Sequence, residues 1–395
     1  MSEPTVNRAR VLVLVLAEIS SDARVLRQID FLASEYDVVV AAFGSRPPLD
    51  HGVQFIALTR QPPGRLRRRA ESAARVGLRL AGSYRSAYWL DARARRWRAE
   101  LAGALPVAAI VVNDIIGLPL AQAVGGDVPI VFDAHEHWTS ESASWSRRHR
   151  LSMRRAHEWI LDTYVPRTAG MMTVSPGIAR DFEERTNVSP RLVTNAPFFQ
   201  ALRPSAVTEP IRLVHIGVAD ERRRLEDTIE AVRLLGGRFT LDLVLARDND
   251  YRLRLERLAA SEPGIRVLPA VPVDELLSFA NTYDVGVFLL PARFPNQVHV
   301  LPNKLFDYIQ ARLAVAIGPS QEMAAVVREW DCGVISESFT AEAFAASLAE
   351  LDVDEVSRLK ANSDRAAHVL TAENNRDVVL EAVREAVSDT SVTNA

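Results

Sequence analysis

Cysteine is almost absent: Cys332 is the only one in 395 residues. A lone thiol excludes an intrachain disulfide framework and any metal site built on cysteines, and it fits a reducing compartment. Long apolar runs are missing as well, since no stretch approaches the roughly 20 residues of a membrane-spanning helix. The first apolar run, Val11 to Ala17, follows Arg8 and Arg10 and is ended by Glu18. No small-x-small site comes after it, so it is expected to be a buried strand rather than a secretory leader. Lysine is scarce, with Lys304 and Lys360 the only two, and positive charge rests almost wholly on arginine. No G-x-G-x-x-G occurs, which weighs against a nicotinamide-dependent dehydrogenase.

What is present is an ordinary folded composition: 48% hydrophobic, 25% charged, formal net charge −3. The length exceeds what one core uses and suits two domains of roughly 150–200 residues. Charge is unevenly placed. Residues 1–200 carry 26 basic and 20 acidic side chains, and the remainder 21 and 30. No nucleic-acid reading motif accompanies the basic half, so no nucleic-acid partner is expected.

Strand-like and helix-like segments alternate along the chain, the pattern of an α/β protein with parallel sheets. Continuous apolar runs such as Val11–Leu16 mark strands covered on both faces. Further strands are expected at Asp37–Phe43, Val53–Leu58, Ala108–Val112, Pro129–Phe132, Met171–Val174 and Leu192–Thr194. The proline-rich stretch near 196–210 interrupts the pattern, which restarts at Ile211–Ile216. The expected organisation is an N-terminal Rossmann-like domain over 1–198 and a linker over 199–210. A C-terminal Rossmann-like domain follows over 211–372, and then a helix and polar tail over 373–395. Ligands of such sheets sit beyond the carboxyl ends of the strands, so the default site is a cleft between facing domains.

The most informative segment runs from Val300 to Ile309. Asn303, Lys304 and Asp307 are expected at the start of a helix opening beside Pro302, with Leu305, Phe306 and Ile309 facing the core. A helix N-terminus suits a phosphate, and a carboxylate nearby can accept both hydroxyls of a ribose; a capped helix with solvated polar residues fits the same spacing. Arg222, Arg223 and Arg224 follow Gly217 at the start of another helix, where positive charge opposes the helix dipole. His135, Glu136 and His137 follow a buried strand ending near Asp133. Their spacing lacks the H-E-x-x-H geometry of a zinc site.

Pro302 to Ser320, PNKLFDYIQARLAVAIGPS, resembles the PNKLFEYMAxGxPVI segment of retaining GT-B glycosyltransferases of the GT4-like group. That family carries an acid, seven residues and a second acid. Here the first falls on His299 and the second on Asp307, so the carboxylate assigned to the donor sugar is replaced. Val214-His215-Ile216-Gly217 followed by Arg222-Arg223-Arg224-Leu225-Glu226 is similar to the family's donor-domain opening, its usual lysine falling on Arg223 and a further arginine on Val218. Asp133-Ala134-His135-Glu136 looks like the family's D-x-H-E, the segments at Thr173–Ala179 and Val193–Pro197 its VS-x-x-I-A and N-x-P, and Asp22-Ala23-Arg24-Val25 a variant of its first loop.

The resemblance covers nearly the whole chain and implies a hexosyltransferase-type enzyme moving a sugar from a nucleoside-diphosphate sugar with retention and without a metal. Polysaccharide biosynthesis is the implied setting, with a glycan, lipid-linked or small-molecule acceptor. It assigns donor binding to Gly217, Arg222, Arg223, His299, Asn303, Lys304 and Asp307, and catalysis to His135, Glu136 and Arg223. A sugar-nucleotide 2-epimerase and a non-catalytic sugar-nucleotide or partner-binding protein are the alternatives on this fold. A cytoplasmic protein is expected. Residues 60–98 carry twelve arginines opposed only by Glu71 and Asp91, interleaved with Tyr84, Tyr88, Trp89 and Trp97. A second basic aromatic run over 145–159 begins at Trp145. These runs read equally as a face for an anionic membrane surface or as solvated helices.

Overall fold

The computed structural model describes residues 8–48, 52–60, 64–138, 147–291, 298–299 and 301–393. Trp145, Val300 and the loop 292–297 lie outside the described residues, as do the side chains of Arg65, Arg67, Arg68, Arg147 and Arg148. The chain divides into two compact units, Met1–Val193 with Asn375–Ala395, and Thr194–Asn374.

The first unit is built on a parallel sheet of seven strands among the described residues: β1 (Arg10–Glu18), β2 (Asp37–Phe43), β3 (Gln54–Ala57), β4 (Ala109–Val112), β5 (Ile130–Ala134), β6 (Gly170–Thr173) and β7 (Arg191–Leu192). Their order is β3-β2-β1-β4-β5-β6-β7. β1 is apolar at every position from Val11 to Leu16 and buried throughout that run. A central strand with helices on both faces requires this. The helix Ala23–Ala33 after it starts where expected: the Asp22 carboxylate accepts the Val25 N–H at 3.1 Å. The helix Ala372–Thr393 joins this unit from Asn375 onward, held in part by the Arg384 Nε bond to Glu35 at 2.8 Å.

The second unit repeats the plan with β8 (Ile211–Val218), β9 (Phe239–Ala246), β10 (Ile265–Pro269), β11 (Val285–Phe288), β12 (Ala314–Ile317) and β13 (Gly333–Ile335). Their order is β10-β9-β8-β11-β12-β13, again parallel. In both sheets the order reverses beside the first strand of the unit, between β1 and β4 and between β8 and β11. Crossovers leave that junction in opposite directions, so a crevice opens at its carboxyl end.

The backbone shows the crevice of the second unit directly. β8 and β11 pair only at Leu213–Val285 and Val214–Gly286. Beyond Val214 the strands separate, and two side chains supply the missing partners. The Tyr308 hydroxyl accepts the Ile216 N–H at 3.0 Å and donates to the Val287 carbonyl at 3.3 Å. The His215 ring reaches the same carbonyl at 3.0 Å. Unpaired backbone groups buried in a sheet must find such partners. Gly286 is required here, since a Cβ on it would lie 2.3 Å from the Tyr308 ring.

Candidate functional site

The crevice of the second unit collects most of the expected donor residues. β8 ends in Gly217 and Val218, and a short 3-10 turn, Glu221–Arg223, follows. Arg224 then takes a left-handed conformation, φ 48°, before the helix Leu225–Arg233. The arginines are therefore not the start of that helix: the turn points them in different directions. Arg222 is exposed and bound to Asp220 through Nε at 3.0 Å and Nη2 at 2.5 Å, a bond that holds the Asp220 carboxyl down at about 2. Arg224 pairs with Asp227 at 2.6 Å. Arg223 instead folds back over β8, its guanidinium 5.7 Å from the centre of the Phe288 ring.

Gly217 makes that fold possible. A Cβ on Gly217 would stand 2.5 Å from Arg223 Nη1 and 3.0 Å from His215 Nε2. Both nitrogens are buried and neither has a hydrogen-bond partner among the described residues. Burial, followed by the charge of Arg223, pushes His215 down to about 3, so its ring is neutral at physiological pH. Its Nδ1 faces a carbonyl and carries the proton, which leaves Nε2 as a bare acceptor. Burial also lowers the pKa of Arg223. A guanidinium with an unused buried N–H is positioned for an anionic oxygen.

The helix Asn303–Gln310 enters from the other side of the crevice, with Pro302 as its N-cap and no side chain closing its first turn. Asn303 is exposed there. Lys304 donates to Asp307 at 2.9 Å, both side chains being largely buried. Lys304 is near enough to contribute to the depression of His215. Thus Gly217, Arg223, Lys304 and Asp307 converge at one place, with His215 as an additional member. Arg222 is held by its own aspartate.

His299 lies beside a carboxylate that sequence spacing did not single out. Its Nδ1 is 3.2 Å from Glu322, which is 4% exposed at the first turn of the helix Gln321–Trp330. A carboxylate from the next helix thus stands beside this position. Its only signal in the sequence is a Glu two residues after Gly318-Pro319-Ser320, where β12 gives way to a helix.

In the first unit the crevice lies at the carboxyl ends of β1 and β4. Asp114 accepts the Leu16 N–H at 2.7 Å where the strands part, and burial raises its pKa. His135 follows β5 and has Nε2 2.9 Å from Asn113 Oδ1 and 3.4 Å from Asp133. Asp133 is fully enclosed and receives Arg24 through two bonds, 3.1 and 2.6 Å, and Gln28 at 2.8 Å. Burial works to raise its pKa, but Arg24 and His135 outweigh it and hold the carboxyl well below the usual range. Gln28, Asn113 and Arg24 form a buried scaffold that orients His135. The three residues after β5 do not converge: Glu136 is exposed without a partner among the described residues, and His137 stacks on Trp138 at 3.8 Å with its Nε2 3.3 Å from Asp181. Among the described residues no group of three or more His, Cys, Asp or Glu side chains could hold a metal ion.

No family model matches this chain, and no curated protein matches it. Solved structures do. The chain is similar to α,α-trehalose 6-phosphate synthase from Burkholderia multivorans (14% identity, TM-score 0.68, covering 98% of this chain and 99% of that one). It is similar to sucrose-phosphate synthase from Thermosynechococcus elongatus (13%, TM-score 0.71, 97% and 100%). It is also similar to HepE from Anabaena, solved in complex with UDP-glucose (12%, TM-score 0.68, 95% and 100%). At such identities the likeness defines the fold. The chain has the GT-B fold, two Rossmann-like α/β units with six- and seven-stranded parallel sheets.

Proposed function

We propose that this protein is a glycosyltransferase that moves a sugar from a nucleoside-diphosphate sugar to a hydroxyl acceptor, with retention of configuration and without a metal ion. The observation that carries the reading is the buried, unpartnered Arg223 Nη1 beside Gly217, flanked by the neutral His215 and by Lys304 at an open helix N-terminus. Such a group of fixed donors suits a leaving diphosphate, whose negative charge grows as the sugar departs. The complexes of HepE with UDP and with UDP-glucose support a nucleotide sugar as the ligand.

In this reading the bond between the anomeric carbon and the diphosphate oxygen breaks, and the diphosphate keeps the electron pair. The acceptor oxygen bonds to the anomeric carbon on the same face, and its proton passes to the departing phosphate oxygen. Arg223 and Lys304 neutralise the diphosphate. Asp307 takes the ribose hydroxyls, with Lys304 holding the carboxylate in place. The carboxylate missing at His299 is supplied by Glu322 through that imidazole. His135, fixed by Asn113 and Asp133, orients sugar hydroxyls. Exposed arginines such as Arg85, Arg96 and Arg98 fit an enzyme working in the cytoplasm at an anionic membrane face. Among the described residues no helix is long and apolar enough to cross a membrane.

The test is thermal unfolding with UDP, GDP, dTDP and ADP in EDTA. One nucleotide is expected to raise the unfolding temperature, and Asp307→Ala to weaken its binding by about tenfold or more, the weight of a charge-assisted hydrogen bond. No stabilisation by any nucleotide at millimolar concentration, or an unchanged affinity in Asp307→Ala, would remove the donor site assigned here.

A further inference from the structure

The arginines of residues 60–98 do not all lie on a surface. The helices Arg65–Leu80, Tyr84–Leu90, Ala92–Leu101 and Arg147–Tyr164 enclose a cavity of about 150 Å³ walled by Tyr84, Tyr88, Trp97 and Trp159. Arg75, Arg79, Asp91 and Arg93 line this chamber and also a wider basin of about 740 Å³. The chamber lies beyond the carboxyl end of β4, where the Tyr88 hydroxyl donates to the Ile116 carbonyl at 2.8 Å. Ligands of parallel sheets bind at that edge.

Its charges do not balance. Asp91 takes Arg93 through two bonds, 3.1 and 2.8 Å, and Arg75 at 2.5 Å. Arg75 Nε is buried without a partner among the described residues. Arg79 is 7% exposed and makes no hydrogen bond or ion pair among the described residues. Burial lowers it to about 10, so it keeps its charge at neutral pH. Asp91 thus faces three guanidiniums, and Glu71, whose charge also reaches Arg75 and Arg93, lines the basin with His149, so two carboxylates meet three guanidiniums. A buried charge without a counter-ion is costly, and a bound anion removes that cost. The chamber also holds one bare acceptor. His157 places Nδ1 3.0 Å from the Trp138 carbonyl, burial disfavours its charged form, and Nε2 has no partner among the described residues.

We infer that this cavity binds an acid, a carboxylate or phosphate, carried on one aromatic ring. The anion sits between Arg75 and Arg79, the ring lies in the chamber, and a ring hydroxyl or N–H donates to His157 Nε2. The volume is that of a cavity that holds a single benzene. Aromatic walls with one neutral acceptor suit a flat ring, and they offer too few partners for a sugar. The ligand's role as acceptor rests on the proposed glycosyl transfer; its binding does not.

The experiment titrates the full-length protein, without donor, by calorimetry with benzoate, 4-hydroxybenzoate and phenyl phosphate. Acetate, inorganic phosphate and phenol are the controls. At least one aromatic acid is expected to bind tenfold or more tightly than every control, and benzoate against phenyl phosphate tells which anion the site prefers. Arg79→Met is expected to weaken that binding at least tenfold with the unliganded unfolding temperature unchanged or raised. His157→Phe is expected to remove the advantage of 4-hydroxybenzoate over benzoate. A second measurement on the wild type needs no variant: 4-nitrobenzoate quenches tryptophan emission saturably, and benzoate competes. Absence of saturable binding up to 10 mM overturns the inference, as does equal binding to Arg79→Met or equal binding of the controls. Aromatic-acid binding without any sugar transfer would count against the proposed function and leave the cavity's assignment intact.

Discussion

Replacing Gly217 by alanine adds one methyl group at the most crowded point of the proposed diphosphate site. The new Cβ would stand 2.5 Å from Arg223 Nη1 and 3.0 Å from His215 Nε2. Ordinary contact needs about 3.4 Å or more, so the guanidinium has to retreat by roughly 1 Å, while the His215 ring, bonded to Val287, yields little. Arg223 is the far end of a flexible chain and can move at small cost to stability. A misplacement of about 1 Å in a group that stabilises the transition state can cost about 100-fold in rate. Gly217→Ala is therefore expected to lower kcat/KM for the nucleotide sugar about 100-fold with a change in unfolding temperature of only a few degrees. The assay is release of nucleoside diphosphate beside thermal unfolding of the same preparations. Wild-type kinetics in a folded Gly217→Ala protein would refute the assignment of Arg223 to the diphosphate.

His215 is held at about 3 in the folded protein against 6.5 for the free group. The unfolded chain therefore takes up a proton that the folded one refuses, so stability is flat above pH 6.5 and falls as pH drops towards 3. Between pH 7 and pH 5 the wild type is expected to lose about 2 kcal/mol relative to His215→Gln, read from urea unfolding at each pH; parallel profiles would show that His215 does not titrate this way. Arg24→Met leaves the buried Asp133 without its guanidinium, with only Gln28 and His135 beside it, and is expected to destabilise the first unit by about 3 kcal/mol. Unchanged urea stability in that variant would mean that the Asp133 cluster is not needed to hold the crevice in shape.

Much of the fold was legible along the chain. Val11 to Leu16 and Val285 to Phe288 are uninterrupted apolar runs, and Ile211 to Ile216 is broken only by Arg212 and His215; strands covered on both faces need such runs. Alternation with helical segments then limits the architecture to doubly wound parallel sheets. Gly217, Lys304 and Asp307 could be singled out because they stand where a strand ends or a helix begins, and those positions are local properties of sequence.

What the tertiary structure alone decided is which polar groups meet and which are left without partners. Nothing in the run Arg222-Arg223-Arg224 separates the arginine that folds over Gly217 from the two bound to neighbouring aspartates; a left-handed residue at Arg224 and the Phe288 ring do that. His299 and Glu322 are brought together by the crossover around β12. Arg79 looks like its neighbours in an arginine-rich helix until the packing of four helices buries it, with Asp91 near but bonded to Arg75 and Arg93 instead. Periodicity records how much of a side chain is buried, because burial follows the local face of an element. The identity of the atoms across the gap depends on segments far away in sequence, and so only the folded chain determines it.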